Sequence, residues 1–146
     1  MYKVVVLYVF LSACSILGQT GAEKPVFSLE KSSCYGECPV YVLKIYKSGK
    51  MLFSGSQNTK YIGRYCAILE SVDFERLKVA FVNQAYFSMK EAYLSKAKDL
   101  PSTISSFYYE GREKKIMDYD NAPASLKQLE KMLETIVDTT RWTGCK

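Results

Sequence analysis

Two stretches of the chain are runs of β-branched and aromatic residues of the kind that forms β-strands. Residues 39–46 are rich in β-branched and aromatic side chains, and they lead through a short turn with a glycine into residues 51–53. Residues 103–109 lead in the same way through a glycine turn into residues 114–119. Two such runs around a short glycine-bearing turn predict a β-hairpin in each place.

Each hairpin is followed by a segment with the periodicity of an amphipathic helix. Ser71 is the expected N-cap of the first helix. Its apolar stripe has spacings of three and four, at Phe74, Leu77, Phe81 and Ala85. The second helix is expected to start near Pro123, because a first helical turn tolerates proline. Its wider stripe comprises Leu126, Leu129, Met132, Leu133, Ile136 and Val137.

Residues 26–31 and 58–65 predict two additional strands, which gives the order β-β-β-β-α followed by β-β-α. Short hairpins favour antiparallel pairing, and two one-sided helices need one face of a sheet to cover. We therefore predict an α+β fold, a two-layer sandwich whose mostly antiparallel sheet has about five to six strands, with both helices on one face. The repeated ββα order is compatible with a duplication, which two copies are too few to establish.

The first 22 residues have the layout of a secretory signal. One cation, Lys3, precedes an apolar stretch at 4–18, and small residues then lead to the charged Glu23. The apolar stretch has 15 residues, whereas a membrane-spanning helix needs roughly 18 or more. We predict a signal peptide at 1–22 and a single α+β domain at 23–146, with a buried N-terminal strand or helix as the alternative.

Residues 11–14, Leu-Ser-Ala-Cys, are similar to a bacterial lipobox, in which Cys14 would be lipidated and become the mature N-terminus. The apolar run continues past Cys14, which favours ordinary cleavage after Gly18 or Ala22 instead. Both alternatives export the domain. The expected location is the periplasm, the outer membrane as a lipoprotein, or the medium, with membrane anchoring through Cys14 in the second case.

Composition and charge limit the kinds of catalytic and binding site that this chain can form. The 146 residues include no histidine, which excludes a Ser-His-Asp triad, a histidine-ligated zinc and a histidine acid–base within this chain. The net charge is +5, or +4 once Lys3 is removed with residues 1–22, and the charges alternate in sign along much of the chain. The densest basic stretches hold Lys90, Lys96 and Lys98, and then Arg112, Lys114 and Lys115.

A nucleic-acid reader concentrates its cations on one face, so the alternating charges lead us to expect no nucleic-acid partner. The sequence has no phosphate loop, dinucleotide motif or calcium loop. We therefore expect neither a cofactor nor a metal.

Four cysteines remain if Cys14 is removed or lipidated, namely Cys34, Cys38, Cys66 and Cys145. An even number in an exported protein suggests disulfides, and four cysteines allow three pairings. We expect Cys34 to pair with Cys38, because cysteines four apart reach bridging distance if the loop curls. A Cys66–Cys145 bridge would then tie the C-terminal helix to the sheet.

The loop between the first two cysteines has residues suited to a tight corner. Gly36 permits a positive φ, and Pro39 prevents the loop from continuing as a helix and leads into the first long strand. A redox dithiol usually has two residues between its cysteines, whereas three lie here, and the adjacent Glu37 disfavours a thiolate. A thiolate metal site would need a third cysteine, and a cysteine protease lacks its histidine.

Carboxylates on predicted loops offer a further alternative, a small hydrolase that uses two acids. The candidates are Glu37, Asp99, Asp118 and Asp120. Nothing in their spacing selects one pair.

Residues 34–41, Cys-Tyr-Gly-Glu-Cys-Pro-Val-Tyr, resemble the Cys-aromatic-Gly-x-Cys-Pro-x-Tyr signature of an uncharacterised bacterial exported family, domain of unknown function 6438. Weaker likenesses are the Ser48-Gly49 turn, the segment 99–102 and the pair Arg141-Trp142. The resemblance extends over nearly all of the chain after the signal.

The resemblance implies an exported, often lipid-anchored envelope protein without an established activity. Cys34 and Cys38 belong to the signature, whereas Cys66 and Cys145 do not. The leading hypothesis is a non-enzymatic domain that binds or scaffolds an unidentified envelope or extracellular partner, and a thiol-based redox or metal-binding activity at Cys34 and Cys38 is the alternative. Trp142 is expected to cap the core between the sheet and the last helix.

Overall fold

The structure is a computed structural model that describes residues 23–96 and 100–145. The predicted signal peptide, Cys14, Lys98 and Asp99 therefore lie outside the described residues. In the described ranges the elements are β1 (Phe27–Lys31), β2 (Val40–Ile45), β3 (Lys50–Gln57), β4 (Gly63–Ile68), α1 (Ser71–Asn83), a 3-10 turn (Tyr86–Ser88), β5 (Ala92–Tyr93), β6 (Thr103–Tyr109), β7 (Arg112–Asp118), α2 (Ala124–Thr139) and β8 (Thr143–Gly144). Neither helix is long and apolar enough to cross a membrane.

The strands form one sheet in the order β5-β7-β6-β1-β2-β3-β4-β8. Every pair is antiparallel except β5 with β7. The predicted α+β class is confirmed. The expected five to six strands are too few for the sheet, because β5 and β8 have two residues each, and two residues show no alternation that a sequence pattern could reveal.

The two predicted hairpins are present, and their glycines explain their turns. Glu110 and Gly111 connect β6 to β7 with φ values of 49° and 76°, the two positive angles that a type I′ turn requires. Gly49 has a φ of 81°, and a Cβ there would lie 2.6 Å from the carbonyl oxygen of Leu69. Leu69, the residue that follows β4, therefore packs directly against this turn.

Alternate residues of the sheet form one buried face. Phe27 of β1 is fully buried, and its ring lies 5.5 Å from Phe74, 5.1 Å from Phe81 and 5.1 Å from Phe107. Helix α2 adds three fully buried leucines, at positions 126, 129 and 133. Among the described residues, the buried hydrophobic core runs from Val26 to Trp142.

Element ends differ from the sequence prediction in three places. Ser71 is the first residue of α1 rather than its cap, and the backbone carbonyl of Glu70 accepts the first bonds from Asp73 and Phe74. The helix ends at Asn83, so Ala85, which has a left-handed φ of 52°, is not part of its stripe.

Strand β4 begins at Gly63 instead of residue 58. Asn58 has a positive φ of 50°, and Thr59 bonds with both the amide and the carbonyl of Tyr61. These local bonds close a turn where the sequence suggests a strand.

Trp142 is 5% exposed and lies where α2 ends. Its ring is 5.2 Å from that of Phe53 on β3. The indole nitrogen donates a hydrogen bond of 3.0 Å to the carbonyl oxygen of Val137. The residue thus joins the C-terminal turn of the helix to the sheet.

We expect Trp142→Ala to lower the free energy of unfolding by about 3 kcal/mol or more, because the substitution leaves a cavity and an unpaired carbonyl. Chemical denaturation followed by circular dichroism measures the loss, and Trp142→Phe, which keeps a ring but not the donor, should lose less. Since Trp142 is the single tryptophan, a native emission spectrum of a water-exposed indole would contradict this packing.

Candidate functional site

Two pairs of cysteines have their sulfur atoms at disulfide distance. Cys34 and Cys38 are separated by 1.92 Å, and Cys66 and Cys145 by 2.06 Å. The first pair closes a five-residue loop directly before β2. The second joins β4 to the residue after β8, 79 positions later in the chain. Four cysteines allow three pairing schemes, and the scheme in the structure is the expected one, with Cys34 bonded to Cys38 and Cys66 bonded to Cys145.

The loop closed by the first disulfide is exposed and tightly curled. The amide of Gly36 donates a 3.0 Å hydrogen bond to the carbonyl of Cys34, and Gly36 has a positive φ. Tyr35 at the tip is 93% exposed, and Glu37 is also exposed. Pro39 leads the chain from this loop into the sheet, as the sequence predicts.

A groove lies beside this loop, and we call it the loop groove. Its volume is about 460 Å³, within the range of small-ligand sites. The disulfide loop, β2, β3, the 58–61 turn and the last turns of α2 all contribute to it. The lining residues are Lys31, Cys38, Pro39, Tyr41, Phe53, Asn58, Thr59, Lys60, Tyr61, Pro101, Glu134, Val137 and Asp138.

One wall of the loop groove is an ion pair between distant parts of the chain. Lys31 Nζ lies 2.6 Å from Glu134 Oε1, and the two side chains are 19% and 24% exposed. Asp138, one turn further along α2, is exposed and has no ion pair among the residues described. The groove therefore presents one neutralised carboxylate and one free carboxylate.

The floor of the loop groove includes Tyr41, which is 6% exposed and packs against Phe53. Burial raises the pKa of Tyr41 above its usual value, and the nearby Glu134 and Asp138 raise it further. The phenol consequently stays protonated at physiological pH and can donate a hydrogen bond into the groove.

The opposite wall is the 58–61 turn. Asn58 Nδ2 donates to the carbonyl of Cys38 at 3.2 Å, which ties the turn to the disulfide loop. A Cβ at Gly55 would overlap the carbonyl oxygen of Tyr61, so glycine is needed for the turn to lie this close to β3. Lys60 places its amine 5.3 Å from the centre of the Tyr61 ring.

The three predicted loop carboxylates that the structure describes, Glu37, Asp118 and Asp120, form no exposed pair. Glu37 and Asp120 are exposed on different loops, and Asp99 lies outside the described residues. Asp118 ends β7 and is buried, and its Oδ1 atom has no hydrogen-bond partner. The acid near it is Glu130 of α2, which is 5% exposed and which sequence reasoning missed.

Glu130 belongs to a buried polar network. Tyr86 donates its hydroxyl proton to Ser105 Oγ at 3.0 Å, and Ser105 Oγ donates to Glu130 Oε1 at 3.2 Å. Burial raises the pKa of Glu130 to about 8, and the nearby Asp118 contributes to the rise. The sequence does contain a sign that Glu130 is buried, because position 130 falls inside the apolar stripe of the second helix.

This network is not open to substrates in the way a hydrolase cleft would be. Neither Asp118 nor Glu130 lines the grooves described for residues 23–96 and 100–145. Within the same ranges, no group of three or more cysteine, aspartate or glutamate side chains is placed to hold a metal ion. The loop groove is therefore the candidate functional site that the signature residues build.

Comparison with known proteins identifies one family. A profile described as Domain of unknown function (DUF6438) matches residues 25–137, which is most of the chain. No curated protein matches the sequence.

The buried Glu130 predicts a fall in stability as pH rises. In the unfolded chain this carboxyl ionises near its ordinary pKa of 4.5, whereas in the folded protein it stays protonated to about pH 8. The folded state thus binds the extra proton between these values, so the free energy of unfolding contributed by this group falls across that window. Glu130→Gln should remove a decline on the order of 4 kcal/mol.

Denaturant unfolding of the wild type and of Glu130→Gln from pH 5 to pH 9, in about single-unit steps, measures how the free energy of unfolding of each depends on pH. Glu30→Gln, on an exposed carboxylate of β1, is the matched control and should keep the wild-type slope. Identical pH profiles for wild type and Glu130→Gln would show that this carboxyl ionises in the folded protein at its ordinary pH.

Proposed function

The chain belongs to the DUF6438 family, and we propose that it is an exported cell-envelope domain that binds a partner through the loop groove. The observation that carries the proposal is the position of the signature residues. Cys38, Pro39 and Tyr41 of the signature all line one groove, together with Glu134 and Asp138, which lie almost a hundred residues later.

Two features support export. The apolar stretch at 4–18 has the composition of a signal peptide. The sulfur atoms of both cysteine pairs lie at disulfide distance, and disulfides persist mainly in oxidising compartments such as the periplasm. We retain the periplasm, a lipid anchor at Cys14 in the outer membrane and the medium as the three destinations.

We further propose that the domain is a two-layer sandwich with both helices on one face of the sheet. Phe27 and Lys31 lie on the same side of β1, since side chains alternate along a strand. Phe27 contacts Phe81 of α1, and Lys31 contacts Glu134 of α2. In this arrangement the loop groove opens at the end of the layer interface.

The side chains of the loop groove are suited to binding a ligand rather than to catalysing a reaction. Its half-buried carboxylate, Glu134, is neutralised by Lys31, and the phenol of Tyr41 remains protonated. These groups orient a ligand, but neither is an activated nucleophile or a base next to one. A non-enzymatic binding module is the function that this arrangement supports best.

The side chains that line the loop groove indicate the kind of ligand it binds. They suit a polypeptide segment in which an apolar side chain stands beside a basic one. The rings of Tyr41, Phe53 and Tyr61, with two prolines, give an apolar slot. Asp138 at its edge lacks an ion pair within the described ranges, so it is available to a cation from the ligand. An acidic side chain at the same edge would instead face the free carboxylate of Asp138.

We expect the dipeptide N-acetyl-Phe-Lys-amide to bind with a millimolar dissociation constant, and N-acetyl-Phe-Glu-amide to bind at least about tenfold more weakly. Amide chemical shifts in NMR titrations report the affinity and the location, which should centre on Asn58, Tyr61 and Val137. Asp138→Asn should remove most of the preference for lysine, because it removes the free carboxylate.

Asp120→Asn, at an exposed carboxylate away from the groove, is the matched control and should bind as the wild type does. Equal affinity for the two dipeptides, or shifts elsewhere in the domain, would refute this ligand class.

The thiol-based alternative is tested separately. We expect Cys34 and Cys38 to stay oxidised and unreactive towards a thiol reagent in mild reductant, because a structural disulfide resists exchange. Cys38→Ser should then lower the free energy of unfolding by about 2 kcal/mol, the loop-closure contribution of so short a ring. A single rapidly reacting thiol at neutral pH would instead support redox chemistry at this loop.

A further inference from the structure

The face of the sheet opposite the core, which we call the outer face, has its own arrangement of charge. The strand registers place its side chains in rows that cross the sheet. One row runs Lys115, Ser106, Ser28, Lys44, Leu52, Cys66, and the next runs Met117, Ile104, Glu30, Val42, Ser54, Arg64. A third pairs Lys50 with Ile68 at the β3–β4 end.

Three cations surround Leu52 on this face. Lys44 lies directly opposite it on β2, Lys50 is two residues earlier on β3, and Arg64 lies diagonally across on β4. Directly opposed side chains on one sheet face stand about 5 Å apart, and diagonal neighbours about 7–8 Å. All three cations are exposed.

None of these cations is neutralised by the protein. Over residues 23–96 and 100–145, the side chains of Lys44, Lys50 and Arg64 form no ion pair. The carboxylates of the same face are Glu30, which makes no ion pair there, and Glu113, which bonds to Lys24. Glu30 is a diagonal neighbour of Lys44 on this face, so among the described residues the three cations outnumber the carboxylates and the β2–β4 end of the outer face keeps a net positive charge.

Apolar side chains lie among the cations. Ile68, in the row of Lys50, is 72% exposed, and Val42 and Leu52 are half-buried. A shallow cavity of about 460 Å³ is lined there by Val42, Lys44, Leu52, Phe53, Ser54, Arg64, Tyr65 and Cys145. A small soluble anion would satisfy the charge but would leave Ile68 in water.

We propose that the β2–β4 end of the outer face docks on an anionic phospholipid membrane surface. The three cations contact lipid phosphates, and Ile68 with Leu52 enters the boundary between headgroups and acyl chains. Cations near an anionic bilayer each add to the attraction, and exposed apolar side chains add burial. This docking places the loop groove, on the helical side of the sheet, towards the aqueous partner.

The test is co-sedimentation of residues 23–146 with vesicles of phosphatidylcholine containing about 30 mol% phosphatidylglycerol, at about 0.1 M salt. Binding should be absent on pure phosphatidylcholine. Lys44→Glu with Arg64→Glu should lower the partition coefficient at least about tenfold, and Ile68→Ser should lower it a few-fold. All three positions are exposed, so circular dichroism should be unchanged.

Lys90→Glu with Lys96→Glu makes the same change in net charge at exposed positions outside the outer face, and this control should keep most of the binding. Equal losses of vesicle binding in the two double variants would mean that binding depends only on the net charge of the protein. That result would refute the docking surface. Wild-type binding that Ile68→Ser leaves intact and that inorganic phosphate at about 10 mM abolishes would assign a free-anion site instead.

Discussion

The burial of Phe27 is the interaction on which the rest of the structure depends. Strand β1 lies between β2 and β6 in the sheet, so it is the strand through which the two hairpin-and-helix halves of the chain are paired. Phe27 stacks on Phe107 from one half and contacts Phe74 and Phe81 of the helix that follows the other. The Phe81–Phe107 and Phe53–Trp142 contacts add further core between the halves, but of these rings only Phe27 lies on the strand that pairs with both of them.

The same strand also determines the candidate site. Because alternate side chains point to one face, the register that buries Phe27 and Leu29 brings Lys31 to the same side of β1 as these two residues. There it meets Glu134 of α2 at the mouth of the loop groove. An ion pair that is partly shielded from water has a stronger attraction than an exposed one, but it also loses hydration. Its effect is mainly to fix the position of α2 against the disulfide loop.

Local patterns predicted the elements better than they predicted the site. The β-branched and aromatic composition of residues 40–45 and the stripe containing Leu126, Leu129 and Leu133 are properties of neighbouring residues, and the structure has a strand and a helix there. The loop groove instead joins Lys31 to Glu134, 103 positions apart. That juxtaposition depends on sheet order and register, which single-strand periodicity does not contain.

The errors have different origins. Residues 58–61 form a turn closed by local hydrogen bonds between Thr59 and Tyr61, which the aromatic and β-branched composition of the segment does not reveal. Glu130 was overlooked because its apolar neighbours explain the helix without it. Its burial beside Ser105 and Asp118 has an electrostatic cost, and only the folded structure shows which polar groups share that cost.

The two disulfides hold the parts of the domain that the core does not. Strands β1, β2, β3, β6 and β7 are fixed by backbone pairing and by buried side chains. The 34–38 loop and Cys145 instead lie on exposed segments at the periphery. In the chain-entropy account, closing the short ring contributes about 2 kcal/mol and closing the loop of roughly eighty residues about 4.5 kcal/mol.

The positions of the bonds matter more for function than these energies. Cys38 lines the loop groove, and Cys145 lines the shallow cavity on the outer face. Each covalent link therefore orders a surface that we propose to be a contact surface, on opposite sides of the sheet. A binding surface that is ordered before its partner arrives loses less conformational entropy on association. The fold can thus present two separate contact surfaces without extending its core to either of them.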